Sequence, residues 1–390
     1  MRKLKIVMVG ACPYPFPQGS QVFLHDTAST LLRIGHSVRL VVYDHGAGDT
    51  PPADVALRRA KRWPLARDIT ASGPDRTKPL HDAALLAALR RTLRNEGADI
   101  VCAHNYEALL VALAARTRPV VYMAHNALAD ELPYYFDRPG AERTARRAGR
   151  WFDNTFPRRA DRIIAPHRRL AGYLVLRGCP QDRVEIIPPP VDADAFPETA
   201  PAEAPMPPIV YTGNLDRYQN LGLLLDAVAI IRQSRPAVRL VMATAALPPF
   251  PNVEHVPCDN VGALRAVLSQ DVVVAVPRVS WSGYPIKLLN AMAAGRPVAA
   301  CAGAAWPLKD GENGLVVPDN DANALATALV RLMDQPRLRR DLGRAARATV
   351  LGEHHPETVA RRLERVFLEA LGTPPRTEAG LAAGNDGAAS

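Results

Sequence analysis

The chain has 390 residues, 48% of them apolar, and a formal net charge of +9. That length and apolar share allow two domains with their own cores and exclude global disorder. No run of eighteen apolar residues occurs, which excludes a transmembrane helix, and no recognised nucleic-acid motif accompanies the positive charge.

The chain opens Met1-Arg-Lys-Leu-Lys-Ile-Val-Met-Val-Gly10. Its apolar run is too short for a signal peptide and leads into a Gly/Pro turn, so it reads as a first strand. Strands are expected over 5–9, 38–43, 100–103, 120–123 and 162–165, with helices over 21–34, 82–96, 106–115 and 168–177. This alternation predicts a parallel, doubly wound sheet in a first domain spanning 1–190. The proline- and alanine-rich stretch 191–208 predicts a stiff linker. The rhythm then restarts. Strands are expected over 209–212, 239–243, 253–256, 272–276, 298–300 and 314–317, and helices over 221–233, 262–269, 285–294, 322–334 and 336–350. These make a second α/β domain over 209–355. A last helix over 356–371 is expected to pack back on the first domain, and 373–390 is expected to be disordered. Ligands of open α/β sheets bind beyond the carboxyl ends of the strands, so function is expected on loops facing a cleft between the domains.

Charge is concentrated in two places. One is Leu57-Arg-Arg-Ala-Lys-Arg-Trp63. The other runs from Arg138 to Arg169, with Trp151, Phe152 and Phe156 among the arginines. Two readings stand: a solvated arginine face, or a peripheral contact with an anionic membrane at its cytoplasmic side. The five cysteines, Cys12, Cys102, Cys179, Cys258 and Cys301, are odd in number and lack metal spacing. They favour a reducing cytosol and argue against a cysteine nucleophile.

The richest segment is Val276-Pro-Arg-Val-Ser-Trp-Ser-Gly-Tyr-Pro-Ile-Lys-Leu-Leu-Asn-Ala-Met-Ala-Ala-Gly-Arg-Pro-Val298. It reads as a strand end, a polar turn, a helix opened by Pro285 and a stop at Gly295. Backbone N–H groups of Ser282, Gly283 and Tyr284 and the helix N-terminus suit an anion. Lys287 in the first turn and Arg278 past the strand could reach the same anion. On the first domain, His125 with Asn126 and His104 with Asn105 lie at strand ends, and Gly19 lets backbone approach a ligand. Asp192 and Asp194 form Asp-x-Asp, but in the linker, so no metal site is expected; Asp216 with Arg217 reads as a surface pair.

Together with that segment, several landmarks in chain order resemble a family 4 glycosyltransferase of the GT-B fold. They are Cys12-Pro-Tyr-Pro-Phe-Pro-Gln-Gly-Ser20, Gly35-His-Ser-Val38, Asp99-Ile-Val-Cys-Ala-His-Asn105, Val121-Tyr-Met-Ala-His-Asn126, Ala160-Asp-Arg-Ile-Ile-Ala165, Val184-Glu-Ile-Ile-Pro188, Tyr211-Thr-Gly-Asn-Leu215 and Gly311-Glu-Asn-Gly-Leu-Val-Val-Pro318. The resemblance implies two Rossmann-like domains facing a cleft and a nucleotide-diphosphate sugar held by the second domain. It also implies retaining transfer to a glycan, glycolipid or small-molecule acceptor, with no cofactor and no required metal. It assigns donor contacts to Gly213, Asn214, Gln219, Arg278, Ser282, Gly283, Tyr284, Pro285, Ile286, Lys287 and Asn290. It assigns a contact with the transferred sugar to His125, and the acceptor side to Gly19, His104 and Asn126. The chain departs from the family at the interdomain crossing, where the usual Asn-Gly is Pro189-Pro190, and at four charged donor-site positions. The Glu-x7-Glu pair falls on Ser282 and Asn290, and the diphosphate-neutralising arginine and lysine fall on Asn214 and Gln219. The competing readings are a GT-B binding subunit without activity and a GT-B epimerase or phosphorylase. A dinucleotide dehydrogenase is disfavoured because no GxGxxG follows the first strand.

Overall fold

The computed structural model describes residues 2–16, 18–46, 55–64, 67–69, 73–117, 119–196 and 204–372. Two fully parallel sheets organise them. The first contains β1 (Lys5–Gly10), β2 (Ser37–Val42), β3 (Ala56–Arg59), β4 (Ile100–His104), β5 (Val120–Met123), β6 (Arg162–Ala165) and β7 (Val184–Ile186), in the order β3-β2-β1-β4-β5-β6-β7. The second contains β8 (Ile209–Thr212), β9 (Leu240–Thr244), β10 (Glu254–Pro257), β11 (Val273–Val276), β12 (Val298–Cys301) and β13 (Leu315–Val317), in the order β10-β9-β8-β11-β12-β13. The central strands are runs of Val, Ile and Ala buried on both faces, as parallel strands covered by helices must be.

The helices of the first domain are α1 (Gly19–Arg33), α2 (Lys78–Glu96), α3 (Tyr106–Ala115), α4 (Leu128–Glu131), α5 (Pro139–Thr155) and α6 (Arg168–Leu176). Those of the second are α7 (Leu221–Ser234), α8 (Val261–Leu268), α9 (Ile286–Ala293), α10 (Ala322–Asp334) and α11 (Pro336–Glu353). The last, α12 (Pro356–Ala370), crosses back to the first sheet. Its Val359, Leu363, Val366 and Phe367 share a core with Leu4, Ile6, Met8 and Leu24.

Three differences from the sequence reading have physical causes. The arginine-rich stretch after 138 is largely the helix α5. Its buried face carries Ala145, Gly149 and Phe152, a stripe at helical spacing that the charge conceals. Gly149 lets α5 sit against α4, because a Cβ there would lie 2.6 Å from the Leu128 carbonyl carbon. The first basic cluster begins inside the short edge strand β3, which pairs with β2. The start of the expected linker is not free: Val191, Ala193 and Phe196 are buried in the second domain's core. Residues 197–203 of that linker, and the tail 373–390, lie outside the described residues. No helix among the described residues is long and apolar enough to cross a membrane.

Candidate active site

The loop 277–285 leaves the carboxyl end of β11 and enters α9, as strand–turn–helix logic requires. Pro285 precedes α9 as its cap instead of sitting in its first turn, and Gly295 after the helix takes the left-handed φ of 64° that ends it. Within the loop the Arg278 guanidinium folds back. Its Nε donates to the Ser280 carbonyl at 3.2 Å, and it lies 5.0 Å above the Tyr218 ring. Gly283 makes room for it, since a Cβ there would lie 2.3 Å from Arg278 Nη2.

Lys287, in the first turn of α9, reaches under the loop after β8. Its Nζ donates to Tyr211 Oη at 2.8 Å and Gln219 Oε1 at 2.6 Å, over the Tyr211 ring at 4.2 Å. Burial, and then the nearby charge of Arg278, hold its ammonium well below the usual lysine range. Gly213 has φ of 119° and passes so close that a Cβ would lie 3.0 Å from Lys287 Nζ. Gln219 Nε2 donates to Asn214 Oδ1 at 2.6 Å, and Asn214 Nδ2 donates to Asp216 at 2.7 Å and Tyr218 Oη at 2.7 Å. The two amides thus hold Lys287 and each other instead of presenting free donors. Asp216 belongs to this network, while Arg217 crosses to Asp137 of the first domain at 2.7 Å; the expected Asp216–Arg217 pair is replaced. Asn290 lies one turn beyond Lys287 on α9, half-buried. In the linker, Asp192 is tied to Arg33 at 2.5 Å.

The first domain grips this loop directly. Asp130, in α4 and 7% exposed, places Oδ2 against Ser280 Oγ (2.9 Å), Ser282 Oγ (2.8 Å) and Ser282 N–H (3.2 Å). One of the three N–H groups expected to meet a ligand is therefore already bound to a carboxylate. His167, just past β6, accepts the Leu170 N–H on Nδ1 at 3.2 Å, so its Nε2 carries the proton it donates to the Ser282 carbonyl at 3.0 Å. Burial pushes its imidazole down to about 4. The Tyr284 side chain turns into the domain junction, with its hydroxyl 3.3 Å from His354 Nε2. Across the gap, Gly19 opens α1 opposite Ile286, which would lie 3.7 Å from a Cβ at Gly19.

His104 and His125, on neighbouring strand ends, meet at 3.1 Å between Nδ1 and Nε2, with Phe23 packed 4.8 Å from the His125 ring. Burial pushes His125 down to about 3 and His104 well below its ordinary value, so both rings are neutral. His104 Nε2, His125 Nδ1 and Asn126 Oδ1 are buried without a partner. A neutral imidazole can orient a hydroxyl; it cannot supply a positive charge.

A polar group that sequence reasoning missed lines the same strand ends. Lys78 Nζ bonds Glu107 at 2.7 Å, Tyr43 Oη donates to Asp82 at 2.7 Å, and Tyr135 Oη donates to Glu131 at 2.7 Å. Burial raises Glu131 and lifts Asp82 to about 6. Asp130 and His167 were missed as well. Their one signal was position, a few residues past a predicted strand end. All five cysteines are free, and burial lifts Cys12 to about 12, which removes it as a nucleophile.

Comparisons with known proteins agree with this architecture. The family described as Glycosyltransferase Family 4 matches residues 17–195, and Glycosyl transferases group 1 matches 207–335. A D-inositol 3-phosphate glycosyltransferase of Kribbella flavida is 28% identical over 89% of this chain and 91% of its own length. Among solved structures, the sucrose-phosphate synthase of Thermosynechococcus elongatus superposes with a TM-score of 0.78 at 18% identity, over 95% of this chain and all of that one. HepE of Anabaena, solved with UDP and glucose, superposes with a TM-score of 0.69 at 19% identity, over 93% and 98% of the two chains. The parallel-sheet pair, the β11–α9 loop and the two family matches lead to one assignment: the chain belongs to the family 4 glycosyltransferases and has their GT-B fold.

Proposed function

We propose that this glycosyltransferase moves a sugar from a nucleoside diphosphate to an acceptor hydroxyl, with retention and without a metal at the reacting carbon. One observation carries the reading. The segments after β1, β5 and β6 converge, through Gly19, Asp130 and His167, on the first residue of α9 and the loop that joins β11 to it. The carboxyl ends of both sheets therefore face one space, where ligands of such sheets bind. In that space the bond from the anomeric carbon to the diphosphate breaks and a bond to the acceptor oxygen forms; the hydroxyl proton passes to the departing diphosphate. The α9 N-terminus, Lys287 and Arg278 offset the charge that gathers on the leaving group. His125 and Asn126 supply neutral hydrogen bonds to the sugar, which suits their buried, unpartnered atoms.

The acceptor reading follows from charge. Lys78 is already neutralised by Glu107, and Asp82 and Glu131 lie on the same side. With Lys78 paired and the Asp82 and Glu131 carboxyls shifted toward their neutral form by burial, the lining offers hydrogen bonds rather than free positive charge, which favours a polyhydroxylated, unphosphorylated acceptor group. The exposed side of α5 presents Arg143, Arg147, Arg150 and Trp151, the last 62% exposed, which supports a peripheral contact with an anionic membrane.

The purified chain incubated with UDP-, GDP-, ADP- and TDP-sugars, alone and with neutral glycan or inositol phosphate acceptors, should release nucleoside diphosphate and gain product mass. Retained configuration is read from the product by NMR. No turnover with any donor, an inverted linkage, or a requirement for added Mg²⁺ would each overturn its part of the proposal.

A further inference from the structure

Beyond β2 the chain continues through Tyr43 to Asp44 and His45, and His81 lies in the first turn of α2 beside them. The three side chains are nearly buried, at 6%, 9% and 4% exposure. Asp44 Oδ1 is 2.9 Å from His45 Nδ1 and 3.3 Å from His81 Nδ1, and one ligand atom from each residue lies within 4.8 Å of the others.

Hydrogen-bond accounting leaves the Asp44 carboxylate incompletely satisfied. His81 Nε2 faces the Arg67 carbonyl at 3.0 Å and must donate to it. The neutral ring then turns the lone pair of Nδ1 toward a carboxylate oxygen, two acceptors in contact. Asp44 Oδ2 is buried without a hydrogen-bond partner, and its ion pair with Arg62 Nε is long, 3.9 Å, to a side chain 60% exposed. His45 can rearrange. Its Nε2 lies between the Ile69 N–H at 2.9 Å and the Ile69 carbonyl at 3.2 Å. As it stands Nε2 accepts the Ile69 N–H and Nδ1 donates its proton to Asp44 Oδ1 at 2.9 Å; a metal ion would displace that proton, and Nε2 would then donate to the Ile69 carbonyl.

We propose that Asp44, His45 and His81 bind one divalent transition-metal ion of the zinc type, away from the reacting centre. Two imidazole nitrogens and a carboxylate suit zinc or cobalt and disfavour Mg²⁺ or Ca²⁺. Metal–ligand bonds of about 2.0–2.2 Å in tetrahedral geometry set ligand atoms a little over 3 Å apart, close to the 2.9 and 3.3 Å from Asp44 Oδ1 to the two rings. The Arg67 carbonyl behind His81 provides the outer hydrogen bond that orients a metal-bound histidine, and the Ile69 carbonyl stands 3.2 Å from His45 Nε2 to serve the same way once Nδ1 binds the ion. The ion would tie segment 67–69 to the end of β2 and the start of α2.

The test uses the full chain, stripped with chelator and titrated with Co²⁺ and then Zn²⁺ against a chromophoric competitor. One Co²⁺ per chain with the intense visible bands of a tetrahedral site, displaced by Zn²⁺, is expected. Asp44→Asn and His81→Gln should each weaken binding at least about tenfold. Should either variant misfold, a crystal of the wild-type chain soaked in zinc should show an anomalous peak between the three side chains. Absence of stoichiometric binding, a peak elsewhere, or variants that bind as the wild type does would overturn the proposal.

Discussion

Lys287 does two things that are in tension. Its Nζ fastens Tyr211 and Gln219 together, and it is the cation nearest the start of α9. Burial and Arg278 shift it toward its neutral form, and an arriving diphosphate shifts it back toward the ammonium. Donor binding should then take up a proton, measurable by calorimetry in buffers of different ionisation enthalpy, and should weaken as pH rises. Lys287→Ala should cost donor binding about 1–3 kcal/mol, the range of a charge-assisted bond; unchanged donor affinity would remove Lys287 from the donor site. Asp130 carries a different load. Asp130→Ala strands Ser280 Oγ, Ser282 Oγ and the Ser282 N–H, a cost of about 1–3 kcal/mol, on the contact that joins the domains. Small-angle scattering should show a wider separation of the domains in that variant. The same compact profile would mean that Asp130 is not what holds them.

At the scale of elements, α5 presents arginine and tryptophan outward on residues three and four apart, Arg147 with Arg150 and Trp151. Replacing Arg143, Arg147 and Arg150 by glutamine should lower sedimentation with anionic vesicles severalfold at low salt, while neutral vesicles show no difference. Equal binding would leave the arginines as a solvated face. The same helix explains what could be read in advance. Strands built of β-branched runs, such as β5, β6 and β8, are legible residue for residue, because period and composition agree. Helix α5 was hidden because its buried stripe uses alanine and glycine beneath a run of arginines. The four-residue edge strand β3 carries too little pattern to register. In the site, the β11–α9 loop is local and could be read from its own residues. Asp130 and His167 become site residues only when two domains dock, a contact between positions more than a hundred residues apart that no local pattern encodes.

For the whole molecule, the junction between domains is held by histidines that are neutral when folded. His354 is fully buried, with Nδ1 at 2.7 Å from the Pro189 carbonyl and Nε2 against Tyr284 Oη. Burial pushes it down to about 4, as it does His167. The unfolded chain takes a proton near 6.5, so between about 6.5 and 4 it binds more protons than the folded chain at these sites. Their contribution is complete above about pH 7 and is lost as pH falls through that window. Asp26, lifted to about 7, and Asp82, lifted to about 6, act in the opposite sense, because the folded state holds their protons more tightly. A single melting curve of the wild type therefore mixes both signs, and the histidine term must be isolated by difference. His354→Asn keeps a donor for the Pro189 carbonyl and removes the titration. The gap in melting temperature between wild type and His354→Asn should be widest at pH 7 to 8 and narrow steadily toward pH 5. A gap independent of pH would show that His354 contributes through packing alone and that the junction is not where acid first acts.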